Sequence, residues 1–279
     1  MRLAIMLTCF NRKEKTLRCI ERLHKQKNIP QFDLFVCDDN SSDGTVKAIG
    51  EKYPNTILLE GSGSLFWSRG MYKVMNAAIE IGYDYYLMVN DDVDFFENMW
   101  ILMHEPFSRS GPLGVVGCTL SQSTLKQTYG GSTFIKGKWN YYIGSMLSPS
   151  NSCFVKCDLA NWNCFLINHE VIKQVGIIDP LYEHAMGDYD YSFRMRIKKI
   201  NILLAKQFIG FCESNGIENS YKDSTLPRKT RVRKLFGPKG LPVKSWFYFT
   251  KSYYGHTWLR NFLVPYIKNI GCIIAGKNC

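Results

Sequence analysis

Residues 85–94 read YYLMVNDDVD. Five apolar and aromatic residues run without a polar break, and Asn90, Asp91, Asp92 and Asp94 follow at once. A run this short with no alternation predicts a strand buried on both faces, as in a parallel sheet covered by helices on each side. Upstream, Leu3 to Thr8 and Phe32 to Cys37 repeat the pattern, and each also runs straight into polar residues: Asn11-Arg12 after the first, DDNSSDGT (38–45) after the second. Thr56 to Leu59 predicts a further strand, followed by Gly61 to Ser64. Between these strands, Lys13 to Lys27, Val46 to Tyr53 and Ser68 to Ile81 carry apolar residues at helical spacing, with Met71, Val74, Met75 and Ala78 on one face of the last. Alternation of strand and helix predicts an α/β fold, a mostly parallel, Rossmann-like central sheet flanked by helices. Its ligand site is expected where the carboxyl ends of the strands meet.

Beyond Asn98 the pattern is less regular. Gly111 to Gly117 and Thr128 to Ile143 suggest strands or a hairpin. Cys164 to Ile167 suggests a short buried strand, His169 to Val175 a short helix, and Tyr189 to Ile200 another helix. The run ahead of Cys212 is strand-like, and Cys212 to Gly216 could return to the site as a lid or acceptor loop.

Three polar clusters carry chemistry. Adjacent carboxylates at Asn90–Asp94 repel unless a cation or hydrogen bonds offset them, and oxygen ligands of this kind suit Mg²⁺ or Mn²⁺. A solvated acidic turn capping a helix at Phe95 is the alternative. Asp38 ends a buried strand, where a carboxylate can accept from a nucleobase N–H or a ribose hydroxyl; Ser42 or Asp43 just beyond it can cap the next helix. Asp188, in MGDYDYSFR (186–194), stands before a helix, either as its N-cap or as a general base facing the site.

The chain has 279 residues, 46% of them hydrophobic and 21% charged, which excludes global disorder and fibrous compositions. Its net charge of +11 lies wholly in the last 58 residues: 1–221 hold 23 basic and 23 acidic side chains, and 222–279 hold 12 basic ones against Asp223 alone. Residues 1–221 therefore read as one domain and 222–279 as a basic extension meeting something anionic. Its Lys and Arg alternate with Trp, Tyr and Phe, which suits a lipid interface, while RNA binding, packing on the catalytic domain and a homodimer contact are the other readings. Ten cysteines include no CxxC, so a reducing cytosol without a disulfide framework is expected. Cys153, Cys157, Cys164 and His169 match no usual structural zinc spacing. No run of apolar residues is long enough to span a membrane, and MRLAIMLTCF lacks a cleavage site, so no export signal is expected.

TCFNR (8–12), VCDDNSSDGT (36–45), LMVNDDV (87–93) and MGDYDYSFR, in this order over about residues 3–200, resemble the inverting family 2 glycosyltransferases of GT-A fold. GSGSLFWSRGM (61–71) and HAMGDYDYSFR (184–194) are similar to bacterial surface-polysaccharide enzymes, including rhamnosyltransferase-like members. The resemblance implies a catalytic domain 1–221, with a nucleotide-binding half of about 1–98 and an acceptor half of about 99–221, and a helical basic extension at 222–279. Asp92 matches the last aspartate of the family's DxD motif and is assigned the metal, Mn²⁺ or Mg²⁺. Asn90 and Asp91 fill the other two positions, and either contacts ribose or metal. Asp38 matches the base- or ribose-contacting aspartate, Thr8 and Arg12 line the nucleotide pocket, and Arg69 touches the nucleotide or forms a salt bridge. Asp188 matches the catalytic base, with Gly187 in place of the usual Glu. Trp162 and Asn163 suit sugar stacking and hydroxyls, or the Trp is core. His184 suits phosphate or acceptor, or is structural. Asp190 is grouped with the acceptor residues.

The implied partners are a UDP- or dTDP-sugar donor and a glycan or lipid-linked glycan acceptor. The implied location is cytoplasmic, against the inner face of the cell membrane, in surface polysaccharide synthesis; no nucleic acid is expected. Two competing readings are a non-catalytic nucleic-acid-binding protein using the basic tail and a sugar-nucleotide nucleotidyltransferase. The second would want a glycine-rich loop after the first strand, where this chain has CFNRK.

Overall fold

In the first strand, β1 (Leu3–Cys9), alternate side chains enter different cores. Leu3, Ile5, Leu7 and Cys9 pack with Cys19, Ile20 and Leu23 of α1 (Lys13–His24). Ala4 and Met6 pack on the other face, with Met71, Val74, Met75 and Ala78 of α3 (Phe66–Ile81). The unbroken apolar run in the sequence is therefore a strand covered twice. Burial of each large side chain contributes on the order of 1.5–3 kcal/mol. The computed structural model describes residues 1–108 and 111–279.

The remaining elements follow in chain order: β2 (Phe32–Asp38), α2 (Thr45–Lys52), β3 (Ile57–Glu60), β4 (Tyr85–Val89), β5 (Asp94–Phe95), α4 (Met99–His104), β6 (Leu113–Leu120), β7 (Gln127–Tyr129), β8 (Gly131–Lys136), β9 (Tyr141–Met146), β10 (Lys156–Cys157), β11 (Leu159–Ala160), β12 (Cys164–Asn168), α5 (His169–Val175), α6 (Gly187–Ile197), β13 (Asn201–Phe211), α7 (Arg228–Leu235), α8 (Val243–Tyr253) and α9 (Trp258–Ile274). The main sheet runs β10-β13-β6-β12-β4-β1-β2-β3. β3, β2, β1 and β4 are parallel, β12 is inserted antiparallel between β4 and β6, and β6 and β13 pair in parallel. A small sheet, β11-β8-β9, lies apart.

The predicted strands and helices of residues 1–89 are present, with ends shifted by a few residues. The acidic turn does not cap a helix at Phe95. Asp94 and Phe95 instead pair with β13, and the next helix begins at Met99. The stretch 128–143 holds strands and a hairpin, as expected: β7 pairs with β6, and β8 and β9 form a hairpin of the small sheet.

The C-terminal residues fold as three helices against the rest. Phe249, Trp246 and Tyr254 of this extension join Phe134, Tyr182 and Phe193 in a third apolar cluster. Arg231 is 1% exposed, and it donates to the carbonyls of Tyr221 and Lys277, which ties α7 to the chain end. α9 leaves one side uncovered, where Leu259, Leu263, Val264, Ile267 and Ile274 are exposed beside Arg260 and Lys268. Among the described residues, no helix is long and apolar enough to cross a membrane.

Candidate active site

β1 lies between β2 and β4, so the loops that leave their carboxyl ends are neighbours, and polar side chains stitch them together. Asn11, at φ 51°, donates its backbone N–H to Ser41 Oγ (2.8 Å) and accepts the N–H of Ser42 (2.8 Å). Asp43 accepts the N–H of Lys13 (2.9 Å) and that of Thr45 (3.1 Å). Asp38 is 3% exposed and accepts from the N–H of Ser41 (2.7 Å) and from the Cys9 thiol (3.4 Å). Asp39, which the sequence did not single out, fixes the glycine-rich loop by accepting the N–H groups of Gly63, Leu65 and Phe66. A Cβ on Gly61 would stand 2.5 Å from Asp39 Oδ1, so a larger residue would force this loop off Asp39.

The carboxylates after β4 meet a cation supplied by β1's loop. Arg12 Nη1 lies 3.2 Å from Asp91 Oδ1 and 3.0 Å from Asp92 Oδ2. Thr16 Oγ1 donates to Asp91 Oδ2 at 3.2 Å. Burial pushes the Asp91 carboxyl up to about 6 despite Arg12, and Asp92 adds to the rise. Asp92 also accepts from the Cys212 thiol (3.6 Å); burial and Asp92 hold that thiol protonated. Asp94 turns away to pair with Arg18 and Arg22. Asn90 Oδ1 accepts from the Trp67 indole at 2.8 Å, a group the sequence reading passed over, so this position serves the wall of the site. An open cleft of about 390 Å³ borders Asp92 and Arg12, and the Cys212–Gly216 segment forms its far side.

Among the described residues no three His, Cys, Asp or Glu side chains are grouped to hold a metal. Asp91 and Asp92 alone converge on one cation position, occupied by a guanidinium nitrogen. Two carboxylates suit a divalent ion whose other ligands are phosphate oxygens and water.

Asp188 lies on the first turn of α6. Gly187 shows why no larger residue precedes it: a Cβ there would stand 2.7 Å from Ser68 Oγ and 2.9 Å from Ile178 Cδ1. α3 and α6 thus meet start to start, and Ser68 is bound to the carbonyls of Glu183 and His184. Asp188 accepts from Asn161 Nδ2 (3.3 Å) and from the N–H of Tyr189 (2.9 Å). Its side chain is partly accessible but ringed by protein, and burial raises its carboxyl to about 7. Asn161 also accepts the N–H of Asn163, whose carbonyl accepts the N–H of Asn90. One short segment thereby joins Asp188 to the Asp91–Asp92 turn.

The structure engages the other expected site residues as follows. Trp162 is 1% exposed, with its ring against Trp67, Phe165 and Tyr191, so no face is free to stack on a sugar. Asn163 is 3% exposed and spends its amide on Cys212 Sγ. Asp190 is buried under Arg194 (2.8 Å), Tyr253 (2.6 Å) and Tyr182 (3.2 Å), which makes it a tie to α8 rather than an acceptor contact. Arg69 pairs with Glu183 (3.2 Å) and the Pro180 carbonyl, closing α3 on the loop before α6. Among the described residues His184 Nδ1, which is buried, has no partner, and burial, with Lys239 and Arg12 nearby, lowers the ring to about 4, so it is neutral at pH 7. Thr8 is partly buried, with its side chain under Gly70 of α3.

The sequence profile of glycosyl transferase family 2 matches residues 4–176, and the chain belongs to that family. Solved structures share its GT-A fold. A mannosyltransferase from Pyrobaculum calidifontis, in complex with GDP-Man and Mn²⁺, aligns with TM-score 0.55 at 10% identity, over 99% of this chain and 73% of that one. TarS 1–349 of S. aureus in complex with UDP aligns with TM-score 0.54 at 14% identity, over 85% and 66%. GalNAc-T7 with UDP, GalNAc and Mn²⁺ aligns with TM-score 0.60 at 10% identity, over 77% and 43%. Among curated protein sequences, none matches.

A carboxyl raised from the ordinary aspartate value to about 7 has a sign for stability. The unfolded chain gives up this proton near pH 4 and the folded chain near 7, so folding loses stability as pH rises between them. Asp188→Asn removes that penalty. Its melting temperature relative to the parent should rise between pH 5 and pH 8; a difference that stays constant over this range would contradict the burial argument.

Proposed function

We propose that the protein moves a sugar from a UDP- or dTDP-sugar to a hydroxyl of a glycan acceptor with inversion, Asp188 acting as general base. The observation that carries this reading is the Asn161–Asn163 segment, which ties Asp188 to the turn bearing Asp91 and Asp92. The proposed base and the proposed cation-binding turn are then held in a fixed relation by one short segment. A carboxylate with a value near 7 can take a proton from an attacking hydroxyl and remain available at neutral pH. The solved structures named above include UDP and GDP-Man complexes, which supports a nucleotide-sugar donor.

Asp38, at the end of β2, is the contact proposed for the base or ribose, and Thr8 and Arg12 lie on the strand end and loop beside it. Mn²⁺ or Mg²⁺ would be held by Asp92, with Asp91 next to it, and would neutralise charge on the departing diphosphate. Asp188 receives the acceptor proton while the acceptor oxygen attacks the anomeric carbon from the face opposite the diphosphate. Membership of the transferase family leaves the nucleic-acid and nucleotidyltransferase readings without an observation of their own.

Residues 1–221 are proposed as the catalytic part and 222–279 as a contact for the inner face of the cell membrane. There a lipid-linked acceptor of bacterial surface polysaccharide synthesis would be met. The exposed apolar side of α9 and the absence of any acidic residue after Asp223 support this reading.

Two measurements test it. With UDP- and dTDP-sugars offered in turn, transfer by the parent should rise with pH through about 7 and level off above it. Asp188→Asn should lower transfer by about 10²-fold or more with donor binding kept, whereas full activity in Asp188→Asn would remove Asp188 as the base. In vesicle co-sedimentation, binding should require anionic lipid, weaken with salt and be lost in Ile267→Glu. Equal binding to neutral vesicles would contradict the charge argument.

A further inference from the structure

Arg12 is held differently from the other charged groups of the site. Its loop is fixed by Asn11, but the side chain is 42% exposed and its ionic contacts are Asp91 and Asp92. A single nitrogen, Nη1, lies 3.2 Å from one carboxylate and 3.0 Å from the other. Those carboxylates come from consecutive residues, and a small divalent ion ligated by both would need the volume the guanidinium fills. Two cations cannot share that volume, because like charges at contact distance repel strongly in a partly buried site. Asp91, at 5% exposure and held by Thr16, cannot turn to water for compensation when Arg12 leaves. A guanidinium released from this position would stand at the mouth of the cleft, and its fork of donors suits phosphate oxygens.

We infer that Arg12 is the resting occupant of the cation position and a positioning residue for the donor. It compensates Asp91 and Asp92 until a divalent ion and a nucleoside diphosphate arrive together, and it then passes to the phosphates. This deepens the reading of the site as a nucleotide-sugar transferase and rests on it. The consequence is cooperative binding. An ion alone must displace Arg12 into water, whereas an ion with nucleotide gives Arg12 a new anionic partner. Because coupling is reciprocal, the nucleotide should bind weakly without the ion for the same reason.

The test is Mn²⁺ binding followed by the electron paramagnetic resonance of the free aquo ion, with and without UDP or dTDP. It uses the full chain, Arg12→Gln and Arg12→Lys. Gln keeps a hydrogen bond and removes the charge; Lys restores the charge, and melting temperatures establish that both variants fold. Arg12→Gln should bind Mn²⁺ alone about tenfold more tightly than the parent, within the usual range of coupling between two ligands. It should also lose most of the synergy with nucleotide, and Arg12→Lys should return to weak binding of the ion alone. If the parent binds Mn²⁺ with nucleotide but Arg12→Gln binds the ion alone no better than the parent, the inference is overturned and the functional reading stands. If no protein binds Mn²⁺ with either nucleotide, the functional reading falls, and the inference with it.

Discussion

Asp91 is a carboxylate taken out of water at the end of a strand buried on both faces, and the surrounding structure answers that cost. Burial alone would hold its proton well above the ordinary range; Arg12 and Thr16 bring the value back to about 6. To do so Arg12 must reach across from β1, which requires the loop after β1 to be fixed. Ser41, Ser42 and Asp43 fix it from the loop after β2. Asp39 in turn fixes the loop that opens α3. Four loops thus become one rigid rim because one charge has to be compensated.

The second carboxylate of the site is treated in the opposite way. Among the described residues no cation is paired with Asp188, and a neutral amide and a backbone N–H leave it poised near neutrality. Keeping a charge there costs the fold stability at neutral pH, which supports the proposed role of Asp188 as the base. Its position is set by close contact of α6 with Ser68 at Gly187, and one turn along α6 Asp190 is tied to Tyr253 of α8. The C-terminal helices therefore support the helix that carries the proposed base, in addition to presenting the apolar side of α9.

Much of this was legible in the sequence. Unbroken apolar runs predicted strands covered on both faces, and the polar residues just beyond them predicted where a site would form. Asp38, Asp91, Asp92 and Asp188 stand out because each carries a carboxylate at or just after the end of a buried strand or at the start of a helix, where a structural and a functional role are both open. For Trp162 and Arg69 the sequence left two roles open, and the structure takes the core position for one and the salt bridge for the other; the buried ties made by Asn163 and Asp190 were not legible. Which way the side chains of residues 161–163 point depends on β12 entering the sheet antiparallel between β4 and β6, and a local pattern carries no sign of that. Asp188 and Asp190 are two residues apart and point to different sides of α6, and only the packing of α8 decides that Asp190 is the one tied down by Tyr253. Asp39 and Trp67 were missed because their partners, backbone N–H groups and the Asn90 amide, lie 23 or more residues away.

In the proposed reaction Asp188 and the Asp91–Asp92 turn act on one donor from opposite sides of its anomeric carbon. The most direct measurement is the configuration of the first product, read by proton magnetic resonance of the anomeric signal during transfer to water or to a simple alkyl glycoside. Inversion gives the anomer opposite to that of the donor at the earliest time points. Product carrying the donor's own configuration would contradict it.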